Sequence, residues 1–162
     1  MPIGDEHLDS LFQQDPFPYL RFLYHVGKLF EVKTAVELGT CTGRGTAHLA
    51  ASCQFVYTID PEIHGAFEKN TKPYSNIKFI QSRSDDLQTL EQFESKSIDL
   101  CFIDSVHAYD YMLKEIELWT PKMKPNGLFL LDDLDLMPGL LPFEKKGYLA
   151  GLHSQGFGYA FI

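Results

Sequence analysis

The sequence predicts a single α/β domain over residues 1–162, with helices covering both faces of a mostly parallel sheet. Three observations predict it. Short apolar runs alternate with stretches of helical periodicity along the whole chain, with no repeat and no linker. The run from Thr34 to Leu38 breaks into a glycine-rich loop, Gly39-Thr40-Cys41-Thr42-Gly43-Arg44-Gly45, which leads straight into a helical pattern at Ala47, Leu49 and Ala50. Four of the five main runs end in a polar cluster: that loop, Asp60, Asp104 and Asp132-Asp133. Open α/β sheets bind ligands beyond the carboxyl ends of their strands, so these clusters are the candidate site.

The elements follow in order. Residues 1–15 are a polar lead-in. From Pro16 to Val32, Phe17, Leu20, Phe22, Leu23, Val26, Leu29 and Phe30 recur at three- and four-residue steps, which predicts an amphipathic helix with Pro16 or Pro18 in its first turn. The strand, loop and helix centred on Gly39 come next. Gln54 to Ile59 is rich in β-branched and aromatic residues and predicts a second strand, ending at Asp60-Pro61. A short helix is expected from Glu62 to about Asn70, and a third strand over Ile77–Ile80. Ser84 to Phe93 predicts a helix with Ser84 or Asp85 as its N-cap. Ile98–Ile103 is a fourth strand. His107 to Trp119 predicts a helix whose buried side carries Tyr111, Leu113, Ile116 and Leu118, stopped by Pro121. Lys124-Pro125-Asn126-Gly127 is turn chemistry, and Leu128–Leu131 is a fifth strand. Residues 138–153 have room for one helix, and Gly156 to Ile162 for a last, glycine-broken strand.

Composition narrows the function classes. The 162 residues carry a net charge of −8 and no basic run, which argues against a surface that tracks nucleic acid. A chain of this length buries roughly 70% of its unfolded surface and needs no disulfide or metal to fold. Its three cysteines (Cys41, Cys53, Cys101) have no zinc-like spacing and predict reduced thiols. No apolar run approaches the roughly 20 residues of a membrane span, and the acidic start has no signal-peptide core. The expectation is a soluble, cytoplasmic protein without nucleic-acid or membrane partners.

The glycine loop itself admits two ligands. Glycines let the backbone take positive φ and leave room for a close neighbour, and the helix behind the loop offers unpaired N–H groups. Gly39-xxx-Gly43-x-Gly45 fits the loop of NAD(P)-binding short-chain dehydrogenases and also that of class I S-adenosylmethionine methyltransferases. A carboxylate such as Asp60 holds ribose hydroxyls in either case. The dehydrogenase needs a Tyr-x-x-x-Lys pair after its fifth strand. The spacing occurs here at Tyr74 and Lys78, ahead of the third strand, which disfavours that reading. Glu37 within the first strand is typical of the methyltransferases.

Four ordered segments sharpen the second reading: Val36–Thr46, Tyr57–Asp60, Phe102–Tyr109, and Lys124–Gly127 continuing through Leu131-Asp132-Asp133. Over residues 16–135 the chain resembles the catechol and caffeoyl-CoA type of O-methyltransferase, and still more the bacterial methyltransferase 24 group. The resemblance implies a Rossmann-like three-layer α/β/α sandwich with strand order 3-2-1-4-5 and a final antiparallel strand. It implies S-adenosylmethionine held by Glu37, Gly39, Thr40, Cys41, Thr42, Gly43, Asp60 and Asp104, with Arg83 and Ser84 near the adenine. It places a divalent cation, Mg²⁺ or alternatively Mn²⁺ or Ca²⁺, on Asp104, Asp132 and Asp133, a hard oxygen-donor set. His107, with Asp104, falls where relatives carry a catalytic base, and a histidine titrates near neutral pH. The implied acceptor is a hydroxyl of a small molecule or sugar. Metal-independent methyl transfer and a non-catalytic cofactor-binding module are the alternatives.

The chain departs from the resemblance after Asp133, where only 29 residues remain. That shortened C-terminus predicts one helix and one strand, with the penultimate strand missing. The sheet edge so left open is the ground for expecting a homodimer.

Overall fold

Apolar residues at consecutive positions of one strand need cover on both of its faces, and the chain supplies it. In the computed structural model, residues 10–13, 20–132, 150–152 and 157–161 are described, the last two stretches by their backbone. Among them, one sheet contains β1 (Thr34–Leu38), β2 (Phe55–Asp60), β3 (Ile77–Gln81), β4 (Ile98–Ile103), β5 (Met123–Leu131), β6 (Ala150–Leu152) and β7 (Phe157–Phe161). The strand order is β3-β2-β1-β4-β5-β7-β6. Strands β1 to β5 pair in parallel, while β7 runs antiparallel to both β5 and β6. The Rossmann-like order with a last antiparallel strand is the one the resemblance implies.

The helices are α1 (Arg21–Leu29), α2 (Arg44–Ser52), α3 (Phe67–Thr71), α4 (Leu87–Leu90) and α5 (Tyr109–Trp119). Alternate side chains of each central strand enter opposite cores. Val36, Leu38, Cys101, Ile103, Phe129 and Leu131 pack with Leu90 of α4 and with Met112 and Trp119 of α5. Ala35, Leu100, Phe102, Leu128 and Leu130 face the other way, toward Leu23 and Val26 of α1 and Ala47, Leu49 and Ala50 of α2. This two-sided burial is why β4 reads as an unbroken apolar run. Strand order reverses between β1 and β4, so the crevice belongs at the carboxyl ends of those two strands.

Several boundaries and faces differ from expectation. The helix expected over 62–70 is the single turn α3, and Ser84–Phe93 shrinks to α4. Asp86 rather than Ser84 or Asp85 caps α4, its carboxylate accepting from the Thr89 N–H. The buried stripe of α5 is Met112, Glu115 and Trp119, not Tyr111, Leu113, Ile116 and Leu118, which are only half-buried. Lys124–Gly127 forms no free turn but an irregularity inside β5. Ile98 pairs with Met123 and Leu100 already with Leu128, so the extra residues bulge out at Asn126, which takes φ 65°.

At the C-terminus the penultimate strand is present as β6, paired with β7 from Ala150↔Tyr159 to Leu152↔Phe157. That corrects the expected loss of this strand, puts strand where the end of a 138–153 helix was expected, and makes β6 rather than β7 the sheet edge, so the ground given for a homodimer falls away. The start of the first helix at Pro16 or Pro18, the stretch 138–149 and Asp133 lie outside the described residues. Among those described, no helix is long and apolar enough to cross a membrane.

Candidate functional site

The glycine loop is built by close approach of chain to chain. Gly39 has φ 93°, and a Cβ there would lie 2.0 Å from the Asp104 carbonyl oxygen, so only glycine lets the β1 and β4 loops touch. A Cβ on Gly43, which precedes α2 at φ 74°, would meet the Phe67 ring at 2.7 Å. One on Gly45 would meet Glu37 Oε1 at 2.4 Å. Sequence reasoning reserved this space for a ligand; at these three points the protein itself fills it.

Asp60, at the end of β2, ties the loop down. Its Oδ2 accepts from the N–H groups of Thr40 (2.9 Å) and Cys41 (3.1 Å), and its Oδ1 from the Glu62 N–H (2.9 Å). A carboxylate has about four acceptor directions, so one on Oδ1 remains for a ligand hydroxyl. Cys41, at φ 44°, presents an exposed thiol in the same loop.

Glu37 lies beneath the loop rather than in it. It is buried on the α2 side of β1 and accepts from the hydroxyls of Thr46 and, at 2.6 Å, Thr58. The Thr58 hydroxyl in turn meets that of Thr40 at 2.5 Å. The chain Thr40–Thr58–Glu37–Thr46 therefore braces loop, β2, β1 and α2 together. Burial pushes the Glu37 carboxyl up to about 7, against the lowering effect of its two hydroxyl partners.

Asp104 and Asp132 follow Ile103 and Leu131, which are register partners on β4 and β5, so the sheet itself sets them side by side. The Asp104 N–H donates to Leu38 O (2.8 Å) and the Asp132 N–H to Ile103 O (3.0 Å), fastening three strand ends. His107 Nε2 stands 3.5 Å from Asp104 Oδ1. Both side chains are open to the crevice, 42% and 30% exposed, whereas Asp132 is buried. Among the described residues no three His, Cys, Asp or Glu side chains form a group able to hold a metal ion, and the expected third ligand, Asp133, is outside them. Adjacent carboxylates at neighbouring strand ends fit a hard cation in donor chemistry.

The loop after β3 places its two expected cofactor residues differently. Arg83 lies outward, bonded to Asp85 (2.9 Å) and reaching the Tyr111 hydroxyl (3.4 Å), with its guanidinium 5.7 Å from the Tyr111 ring centre. Bonds from Arg83 and then Lys114 hold the Asp85 carboxyl far below the usual range. Ser84 is buried, and its hydroxyl donates to Glu115 Oε1 instead of turning to the crevice. Glu115 is the residue that sequence reasoning missed. It also accepts from the Ser105 hydroxyl (2.6 Å), and burial pushes its carboxyl up to about 7. The available signal was an acid inside an i, i+3, i+7 stripe with Met112 and Trp119.

A parallel sheet reversing beside a glycine loop, with acids at the ends of β2, β4 and β5, is the arrangement in which open α/β proteins bind ligands. The methyltransferase 24 family model, a methyltransferase domain, matches residues 36–134. The chain belongs to that family. Solved structures share the fold at low identity. A methyltransferase from Geobacter sulfurreducens superposes at TM-score 0.71 with 13% identity, covering 99% of this chain and 91% of its own. The O-methyltransferase TomG from Streptomyces achromogenes, involved in tomaymycin synthesis and solved in complex with SAM, gives 0.69 and 16%, covering 100% and 92%. The N-methyltransferase NodS from Bradyrhizobium japonicum gives 0.62 and 16%, covering 92% and 97%. No curated protein matches the chain.

Proposed function

We propose that the chain transfers a methyl group from S-adenosylmethionine to a hydroxyl of a small molecule or sugar, assisted by a divalent cation. The observation that carries this is the Asp104–His107 pair, open to the crevice and touching the glycine loop through Gly39. When bound, the cofactor supplies an electrophilic methyl on sulfur, and the cation supplies positive charge beside the acceptor oxygen.

The chain's own residues do the rest. The loop from Gly39 to Gly43 lies against the cofactor, and the free acceptor direction of Asp60 takes a ribose hydroxyl. Asp104, Asp132 and Asp133 hold Mg²⁺, or Mn²⁺ or Ca²⁺ in its place. His107, its Nε2 3.5 Å from Asp104 Oδ1, takes the hydroxyl proton as the oxygen attacks. Metal-independent transfer is the second reading, since Asp132 is buried while Asp104 stands part-exposed beside His107.

The test is the melting temperature with S-adenosylhomocysteine, with and without Mg²⁺. Binding to the native state alone raises it by linkage. The cation reading expects a further rise with Mg²⁺ that Asp132→Ala abolishes; an unchanged shift supports the metal-free reading. With an acceptor in hand, His107→Ala is expected to lower kcat by about 10²-fold while leaving homocysteine-product binding intact.

A further inference from the structure

Helix α5 grips the loop after β3 at four points. Trp119 Nε1 donates to Ser84 O (2.9 Å), Lys114 Nζ meets Asp85 (2.7 Å), the Tyr111 hydroxyl lies 3.2 Å from Ser84 Oγ, and Glu115 Oε1 accepts from the Ser84 hydroxyl. Of these four side chains, Glu115 is the one that also holds the loop after β4, through the Ser105 hydroxyl. Both serines donate to the same oxygen, Oε1. Oε2 is buried with no hydrogen-bond partner among the described residues.

That arrangement is costly if it serves folding alone. Position 115 lies between Met112 and Trp119 on the core-facing stripe, where an apolar side chain packs without desolvating a carboxyl. What an apolar residue does not provide is a single acceptor between two loops. Those loops leave the carboxyl ends of β3, the second neighbour of β1, and of β4, its direct neighbour on the other side, the same end of the sheet as the glycine loop.

We propose that Glu115 is a positioning residue for cofactor binding: by clamping Ser84 to Ser105 it sets the width of the slot that receives the adenosine half of S-adenosylmethionine. The inference rests on the methyltransferase reading above. It assigns a role in affinity to a residue that does not touch the ligand.

The test is calorimetric titration with S-adenosylhomocysteine and, separately, 5′-methylthioadenosine, which carries the adenosine half alone. Four proteins are compared: wild type, Glu115→Ala, Glu115→Gln and Ser105→Ala. Glu115→Ala is expected to weaken both ligands by the same factor, about tenfold or more, because the defect lies at the shared half. Glu115→Gln keeps an acceptor oxygen for both serines and is expected to stay within about threefold of wild type. Ser105→Ala cuts one leg of the clamp without altering α5, and is expected to weaken both ligands by about threefold or more even if Glu115→Ala does not fold. Wild-type affinities in both Glu115→Ala and Ser105→Ala, or in Ser105→Ala alone where the other fails to fold, overturn the inference and leave the methyltransferase reading standing. A wild type that binds neither ligand removes the reading and the inference with it.

Discussion

Glu37 and Glu115 are both buried acids pushed up to about 7, and each owes the shift to loss of water rather than to a charged partner. The sign of the effect on stability follows. Each group binds its proton more tightly folded than unfolded, so its contribution is full below the ordinary carboxylate range and is lost as pH rises through about 7. For one such group the shift from 4.5 to about 7 corresponds to about 3 kcal/mol. Urea unfolding should therefore show Glu37→Gln gaining about 3 kcal/mol on the wild type between about pH 4.5 and about pH 8. A constant difference across that range would mean that Glu37 ionises normally. Among single residues, Asp60, Asp104 and Asp132 stood out because each ends an apolar run, and the structure sets each at a strand end. Glu37 was noticed, but its burial under α2 was not legible, since only the fold brings Thr46 and Thr58 to it.

At the scale of elements, glycine placement decides how the loops meet. Gly39→Ala puts a methyl group 2.0 Å from a main-chain oxygen at a φ of 93°, where neither the strand nor the Asp104 loop has a flexible end to yield. The expected result is a loss of about 3 kcal/mol or more of unfolding free energy, measured by denaturant titration. Gly65, where a Cβ would meet nothing within 4 Å, is the matched control and should tolerate alanine. Strands were legible because two-sided burial leaves unbroken apolar runs; Ile98–Ile103 was placed to the residue. Helices near the crevice were less so. In α5 the half-buried Leu113, Ile116 and Leu118 outnumber the fully buried Met112 and Trp119, so hydrophobicity alone pointed to the wrong side of the helix. In α4 the two expected caps, Ser84 and Asp85, are taken up by bonds to Glu115, Arg83 and Lys114, which leaves Asp86 to cap the helix.

For the whole molecule, the alternation of runs gave the mostly parallel α/β sheet and the family resemblance its order 3-2-1-4-5, whereas the last two strands could not be counted from either. Strand β6 has three residues, too few to show a period. Its partner β7 covers the otherwise open side of β5 from Leu128↔Phe161 to Leu131↔Gly158. Deleting residues 150–162 is expected to uncover that edge and to cause self-association that grows with concentration, read by size-exclusion chromatography. A deletion product that stays monomeric and soluble would show that β7 is dispensable as an edge cover.

The three thiols divide unequally between surface and interior: Cys53 and Cys101 are buried, while Cys41 is exposed at the lip of the crevice. Burial raises the first two well above an ordinary thiol, to about 11 for Cys53, which slows their alkylation further. A single accessible sulfur is thus left on the proposed landing strip of the coenzyme. Iodoacetamide should tag one site per molecule, as counted by mass spectrometry, and saturating S-adenosylhomocysteine should slow that tagging about tenfold or more if the occupied loop shields it. An unaltered rate would place the nucleoside elsewhere.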